Sequence, residues 1–255
     1  MRTSSLLRML RLPDARRAPS GPAVALSGPR ALRTNVYIDG FNLYYGLLKG
    51  GPHKWLNLET LFDSLLPKNQ IQRIRYFTAK VEARPGDTDL PVRQAAYLRA
   101  LATLSRVEVV YGTFLTSCVR APVVVRDQAG YPQKVNGKPV IKLAASGMPV
   151  MEWVQKTEEK GSDVNLAAHL LKDAFTGDCQ CAVVVSNDSD LLTPIRMAKA
   201  QGLATGLIPP RDKGSVELKR TVNFQKSIRV HQLAAAQFPN SFVDAVGTIT
   251  KPADW

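Results

Sequence analysis

Short apolar runs alternate with segments of helical periodicity from Thr34 to about residue 232. Strands are predicted over residues 35–39, 71–80, 107–115, 181–186 and 203–208, with an edge strand over 227–230. Helices are predicted over 57–66, 89–105, 163–175 and 191–201, capped at Asn57 in the first and at Ser162 or Asp163 in the third. This alternation favours an α/β fold with a mostly parallel sheet covered by helices.

Residues 116–150 interrupt the alternation. The segment contains four prolines, and Asn136-Gly137 lies between Val135 and Val140 as a turn signal. We therefore predict an inserted hairpin or long loop, followed by an extended segment over 150–156.

Charge divides the chain further. The 255 residues include 34 Lys and Arg against 21 Asp and Glu, a net charge of +13 that favours a polyanionic partner. Residues 1–33 are rich in Arg and are predicted to be a disordered basic extension, which needs fewer assumptions than a targeting peptide. One domain is predicted over 34–232 and a C-terminal tail over 233–255. Residues 116–149 and 209–231 are the basic segments of the domain.

Cysteine usage and hydropathy indicate the compartment. Three Cys cannot form a disulfide framework, and Cys179-Gln-Cys181 lacks the spacing of a zinc site. No apolar stretch reaches the roughly 18 residues of a membrane helix. We therefore expect a cytoplasmic protein with no membrane partner, and leave homo-oligomerisation open.

Acidic residues follow the predicted strands. Asp39 ends the first strand, Asp188 and Asp190 follow the strand at 181–186, and Asp163 opens a helix. Ligands of open parallel sheets bind at the carboxyl ends of strands. Oxygen-only clusters select Mg²⁺ or Mn²⁺, ions that promote attack of water on a phosphodiester. Lys160 is a candidate phosphate contact.

Each of these residues also has a structural interpretation. Asp39 would cap a turn, and Asp163 and Asp190 would cap helices. His169 is interpreted as a structural hydrogen-bonding residue within its helix. Tyr44, Tyr45 and Trp55 would stack on bases or pack in the core. The coincidence of four acids at element ends is what favours a site.

Other phosphate chemistries lack their signatures. A haloacid-dehalogenase-like phosphatase needs an Asp where this chain has Phe41. The sequence contains no P-loop, and Asp39-Gly-Phe-Asn-Leu43 replaces the glycine pattern of a dinucleotide fold. Nucleophilic hydrolysis has little support from three scattered His.

Three motifs resemble those of the NYN domain, and specifically of its bacterial LabA-like members, in the PIN-like superfamily of metal-dependent ribonucleases. They are Tyr37-Ile-Asp-Gly-Phe-Asn-Leu43, Glu158-Glu-Lys-Gly-Ser-Asp-Val-Asn-Leu-Ala167 and Val185-Ser-Asn-Asp-Ser-Asp-Leu191. The resemblance implies a PIN-like, Rossmann-like three-layer sandwich with strand order 3-2-1-4-5.

By this resemblance, four residues match the acidic metal-site positions: Asp39, Asp163, Asp188 and Asp190. Asn42 and Ser186 match polar positions after the first and fourth strands. His169 stands where relatives often carry another acid. The resemblance therefore leaves open whether the site binds one metal or two, and whether the enzyme is weakened.

The expected function is hydrolysis of RNA, single-stranded in our hypothesis, with Mg²⁺ or Mn²⁺ held by the four aspartates and with Asn42, Lys160 and Ser186 at the substrate. The alternative is a catalytically weak protein of the same fold that binds RNA or protein and acts as a regulator.

Overall fold

A parallel six-stranded sheet forms the centre of the computed structural model, which describes residues 31–84, 86–211 and 214–255. In chain order the strands are β1 (Leu32–Asp39), β2 (Asn69–Thr78), β3 (Val107–Tyr111), β4 (Thr113–Pro122), β5 (Lys134–Val135), β6 (Lys138–Pro139), β7 (Met151–Lys160), β8 (Cys181–Val185), β9 (Ala204–Leu207), β10 (Phe224–Gln225), β11 (Ser241–Val243) and β12 (Thr248–Thr250). The helices are α1 (Gly40–Leu43), α2 (Leu58–Leu65), α3 (Leu90–Leu101), α4 (Ser162–Thr176), α5 (Leu192–Ala200), α6 (Val216–Thr221) and α7 (Val230–Ala235).

The strand order of the central sheet is β3-β2-β1-β8-β9-β10. Counted along the chain, its first five strands have the predicted order 3-2-1-4-5, and the short β10 extends one edge. Helices α2, α3 and α7 pack on one face, while α4, α5 and α6 cover the other. Every residue of β8 is buried, as expected for a strand covered on both faces. The prediction of an α/β sandwich is confirmed.

Three local predictions need correction. The predicted strand 107–115 is two strands that part at Gly112, where a Cβ would lie 2.7 Å from the carbonyl oxygen of Lys160. Helix α4 begins at Ser162 with Gly161 in the N-cap position at φ 95°, so neither Ser162 nor Asp163 is the cap. The edge strand lies at Phe224–Gln225 rather than 227–230, because the Phe224 ring packs closely over Gly206 of β9.

The predicted insertion is a long two-stranded ribbon. Strands β4 and β7 pair in antiparallel register from Thr113 opposite Lys160 to Pro122 opposite Met151. The tip of the ribbon contains the short β5–β6 hairpin, whose turn residues Asn136 and Gly137 both have positive φ. The turn therefore lies where the sequence predicts it.

The predicted C-terminal tail, 233–255, contains the β11–β12 hairpin, and its Phe238 and Ile249 are buried in the same apolar cluster as helix α2. Trp255 packs against Trp55, with ring centroids 6.2 Å apart. The predicted extension 1–33 lies outside the described residues except for its last three. No helix in the described part of the chain is long and apolar enough to cross a membrane.

Candidate active site at the carboxyl edge of the sheet

Asp39 occupies the carboxyl end of the central strand β1 and is only 3% exposed. It also caps helix α1, because its Oδ1 accepts a hydrogen bond from the backbone N–H of Asn42 at 2.9 Å. The turn requires Gly40, since a Cβ there would come within 2.7 Å of the carbonyl oxygen of Phe77. The predicted capping role is therefore present, and it fixes the carboxylate at the sheet edge.

Ser186 joins the ends of β1 and β8. Its buried hydroxyl donates to Asp39 Oδ2 at 3.0 Å and accepts from the N–H of Asp188, also at 3.0 Å. Asn42 completes the link, because its Nδ2 donates to Asp39 Oδ2 at 2.6 Å and its Oδ1 accepts from the N–H of Asn187 at 3.3 Å. The parallel pairing of Ile38 with Val185 brings these two strand ends side by side.

Asp188 and Asp190 lie on the turn that follows β8. The Oδ1 atom of Asp188 accepts from the N–H of Asp190 at 3.0 Å and caps a short 3₁₀ turn, Ser189–Leu191. The Asp190 side chain is exposed. Both residues therefore have structural positions that leave carboxylate oxygens available at the sheet edge.

Asp163 reaches the same edge from the first turn of α4. Burial raises the pKa of its carboxyl to about 6, and the negative charges of Asp39, Asp188, Glu159 and Asp190 act in the same direction. Burial also raises the pKa of Asp39, against the hydrogen bonds from Asn42 and Ser186. The four predicted aspartates thus form one electrostatic cluster with uncompensated negative charge.

Glu159 is a fifth acid of this cluster that the sequence reasoning did not select. Its Oε1 accepts from the N–H of Ser162 at 3.0 Å, and its Oε2 accepts from the Ser162 hydroxyl at 2.7 Å. The available signal was its place in the second motif, four residues before Asp163 and at the end of an extended segment.

Lys160 does not join the aspartates. Its ammonium pairs with Glu158 Oε2 at 3.1 Å on the ribbon, and the side chain is about half exposed. His169 does not have the hydrogen-bonding role predicted from the sequence. Its buried Nδ1 has no hydrogen-bond partner among the described residues, and its ring packs against Phe77. Trp55 is fully buried and packs in the core.

The donors at this edge are oxygen atoms, the ligand type that Mg²⁺ and Mn²⁺ prefer. Among the described residues, no group of three or more His, Cys, Asp and Glu side chains is arranged to enclose an ion. Oxygen donors and uncompensated negative charge are the features that bind a hard cation such as Mg²⁺. Such an ion would take the remaining ligands from water, as Mg²⁺ usually does.

An aromatic pocket includes Gly40 in its lining. It lies between α1, β2 and α3, and the empty space between its walls, including the mouth, is about 570 Å³. Its aromatic walls are Phe41, Tyr44, Tyr45, Tyr76, Tyr97 and Trp255. Asp39 directly precedes Gly40 of the lining, and its charge acts on Tyr76 of the pocket wall.

The fold and the acidic cluster define an α/β protein with a polar site at the switch between β1 and β8. Residues 33–228 match the NYN domain family, and the chain belongs to that family. NYN domains are part of the PIN-like nuclease superfamily, whose members are generally dependent on divalent metals. The LabA-like branch stays a prediction.

Two individual proteins are similar to this chain. The 6-hydroxy-3-succinoylpyridine 3-monooxygenase HspA of Pseudomonas putida is 33% identical over 251 residues, which cover 88% of this chain and 75% of that protein. A crystal structure of a protein of unknown function from Vibrio parahaemolyticus aligns with a TM-score of 0.47 at 14% identity, covering 79% of this chain and 95% of that one.

Proposed function

We propose that this protein is a metal-dependent ribonuclease that hydrolyses RNA phosphodiester bonds at the carboxyl edge of the sheet. The observation that carries the proposal is the group of carboxylates around Asp163, which together with burial raise the pKa of that residue to about 6. Crowded carboxylates are tolerated where a cation neutralises them or where some of them keep a proton. Membership of a family that consists generally of nucleases supports the same reaction class.

Four residues would hold Mg²⁺ or Mn²⁺: Asp39, Asp163, Asp188 and Asp190. When bound, the ion supplies neutralisation of the charge that develops on the phosphate and activation of the attacking water. Asp163 would hold a second ion or orient that water.

Ser186 and Asn42 have positioning roles in this proposal. The Ser186 hydroxyl bonds both the Asp39 carboxylate and the backbone N–H of Asp188. Asn42 donates to Asp39 through its backbone N–H and through its side-chain amide. These bonds fix the rotamer of Asp39 before a substrate arrives. Lys160 would contact the phosphate only after it leaves Glu158.

The ribbon would hold the RNA. Its basic residues are all exposed: Arg120, Arg126, Lys134, Lys138 and Lys142. Cations on one projecting element favour a polyanion through counterion release, which makes the affinity salt-dependent. We expect single-stranded RNA, whose backbone can follow the strand ends. A cytoplasmic location is consistent with three free cysteines, Cys118, Cys179 and Cys181.

The test is cleavage of single-stranded RNA with Mn²⁺ by wild type, Asp39→Asn and Asp188→Asn. We expect a loss of roughly 100-fold or more, about 2.7 kcal/mol of barrier, because a carboxamide cannot neutralise the ion. Asp63→Asn is the matched control. It makes the same chemical change on α2, where Asp63 pairs with Arg106, and should cleave like wild type.

Cleavage that survives both Asp39→Asn and Asp188→Asn contradicts the proposal. Salt-sensitive RNA binding without cleavage by wild type would instead favour the regulatory alternative. Calorimetric titration of Mn²⁺ separates the two, since only the enzyme requires carboxylate-dependent metal binding.

A second candidate is oxygenation of a small aromatic compound. Two observations favour it: the 33% identity with a protein named as a monooxygenase of a substituted pyridine, and the aromatic pocket beside Asp39. Incubation of the protein with 6-hydroxy-3-succinoylpyridine in air and a reduced nicotinamide donor tests it. A product that gains an oxygen atom supports this candidate, and unchanged substrate with active RNA cleavage rejects it.

A further inference from the structure

Two largely buried residues bring hydroxyl groups to the aromatic pocket. Tyr76 is 7% exposed and Thr78 is 2% exposed, and both line the pocket. They are two residues apart on β2, so their side chains project from the same face of the sheet. Within the described part of the chain, neither hydroxyl has a hydrogen-bond partner. Neither oxygen is fully enclosed by the described residues, so both are accessible to a ligand in the pocket.

Two other polar side chains of the same pocket, those of Tyr97 and Gln94, are satisfied. The Tyr97 hydroxyl donates to the carbonyl oxygen of Leu56 at 3.0 Å. Gln94 donates to the carbonyl oxygen of Ala79 at 2.9 Å and accepts from the N–H of Val81 at 2.9 Å. Among the buried residues that line the pocket, the unpaired hydroxyls are therefore those of Tyr76 and Thr78 on β2.

Lys54 supplies a positive charge to the lining. Its ammonium donates to the backbone carbonyl of Asp254 at 3.2 Å. No carboxylate of a described residue lies within 4 Å of it, whereas Arg93 on the nearby helix α3 is paired with Asp87. A cation without a carboxylate partner can take an anionic group of a ligand.

The backbone beside the pocket is also unusual. Residues Tyr44–Leu48 continue α1 as a π-helical turn, a feature often found at functional sites. This turn places the neighbouring rings of Tyr44 and Tyr45 in an edge-to-face arrangement at 5.2 Å. Both rings line the pocket, so the turn directs two aromatic side chains to its walls.

We propose that this pocket binds a planar, single-ring aromatic acid. The ring would lie among the aromatic walls, a ring acceptor atom would take the hydrogen bond of Tyr76, and the carboxylate would pair with Lys54. The burial of Tyr76 and the negative charge of Asp39 raise the pKa of its phenol, so the hydroxyl stays a donor at neutral pH. The inference names the ligand class for the second candidate above, and it is independent of RNA cleavage.

Calorimetric titration of the full chain with three probes tests the proposal without turnover. Nicotinate has the ring, the acceptor and the charge; nicotinamide lacks the charge; cyclohexanecarboxylate lacks the aromatic ring. We expect nicotinate to bind about tenfold more tightly than either of the others. Tyr76→Phe, which preserves packing, should weaken nicotinate binding about tenfold, as expected for one lost hydrogen bond.

Lys54→Met should remove the preference for nicotinate over nicotinamide. Lys68→Met is the matched control, because Lys68 is exposed in the turn before β2, at the opposite end of that strand from the pocket. Thermal melting verifies that all variants are folded. Failure of nicotinate to bind folded wild type at millimolar concentration overturns the proposal. Equal binding of nicotinate by wild type, Tyr76→Phe and Lys54→Met overturns it as well. Because no RNA or metal is present, neither result depends on ribonuclease activity.

Discussion

Asp39 and Asp173 are both almost fully buried beside strand β1, yet their surroundings differ in one respect. Asp173, on α4, accepts hydrogen bonds from Arg75, from the Tyr37 hydroxyl at 2.6 Å and from Asn35 Nδ2 at 2.9 Å. Asp39 accepts only from neutral groups, those of Asn42 and Ser186. Among the described residues, the Asp173 carboxylate therefore has a positively charged partner, Arg75, and the Asp39 carboxylate has none.

The pKa values follow this difference. Burial alone would raise the pKa of Asp173, but the hydrogen bonds and charge of Arg75 hold it below its usual value. Burial raises the pKa of Asp39, and the nearby negative charge of Asp188 raises it further. A buried carboxylate paired with an arginine cannot be removed without leaving an unpaired buried charge, whereas one without a positive partner is available for a cation from solution. The contrast separates a structural aspartate from a candidate catalytic one.

The largest expected effect on stability is that of Asp173→Asn. Among the described residues, this change leaves the buried Arg75 guanidinium with the half-exposed Glu108, at 3.0 Å, as its carboxylate partner. We expect a loss of about 3 kcal/mol in the free energy of unfolding. Urea denaturation measures it, and a loss below about 1 kcal/mol would show that the arginine pairing is not what distinguishes Asp173.

Metal binding at Asp39, Asp163, Asp188 and Asp190 should stabilise the folded protein. Mn²⁺ at about 100 times its dissociation constant should add about 2.7 kcal/mol to the free energy of unfolding of wild type. Asp188→Asn should lose most of this gain, while Asp63→Asn should keep it. Calorimetric melting with and without a chelator gives the comparison. Equal stabilisation of all three proteins would place the metal elsewhere.

Asp39→Asn should change stability by no more than about 1 kcal/mol, because the neutral amide avoids the burial cost of a charge. The same denaturation experiment tests this, with Asp173→Asn as the reference. A loss as large as that of Asp173→Asn would contradict the distinction, since Asp39 would then be structural as well.

The last expected effect is a pH dependence in metal-free protein. The pKa of Asp163 is raised to about 6, so the folded state binds this proton more tightly than the unfolded chain. Its contribution to stability is present below the unfolded pKa of about 3.9 and is lost as pH rises through about 6. Asp173, with its lowered pKa, acts in the opposite direction, since its contribution is lost as pH falls.

Urea unfolding between about pH 4 and pH 7 should therefore show wild type losing stability relative to Asp163→Asn as pH rises. Asp89→Asn is a suitable control, because Asp89 is exposed and makes no side-chain cap bond at the start of α3. If the difference in unfolding free energy between wild type and Asp163→Asn does not change with pH, Asp163 is not coupled to the other acids.

Local pattern predicts much of this protein. The Asn57 cap of α2 is confirmed by the hydrogen bond from the N–H of Thr60 to its side chain at 3.0 Å. The burial of Val36, Tyr37 and Ile38 confirms the apolar strand before Asp39. The Asn136-Gly137 turn likewise follows from residue chemistry. These features depend on neighbours within a few positions, which is the range that a sequence pattern records.

Tertiary structure decides which polar residues meet. Asp39 and Asp173 cannot be distinguished by residue type, and only the pairing of β1 with β2, which brings Arg75 beside Tyr37, gives one of them a cation. Lys160 stands next to the acidic motif in sequence, but the ribbon directs it to Glu158. The aromatic pocket likewise brings Trp255 to Tyr76, which are far apart along the chain.

The α/β alternation and the acids at the strand ends follow from the residue pattern, because periodicity and turn chemistry are local. Which carboxylates lack a positive partner, and which hydroxyls are unpaired in a pocket, depends on the folded chain. The physical reason is that charge neutralisation and hydrogen bonding depend on distances between residues from different elements, and those distances are set by packing.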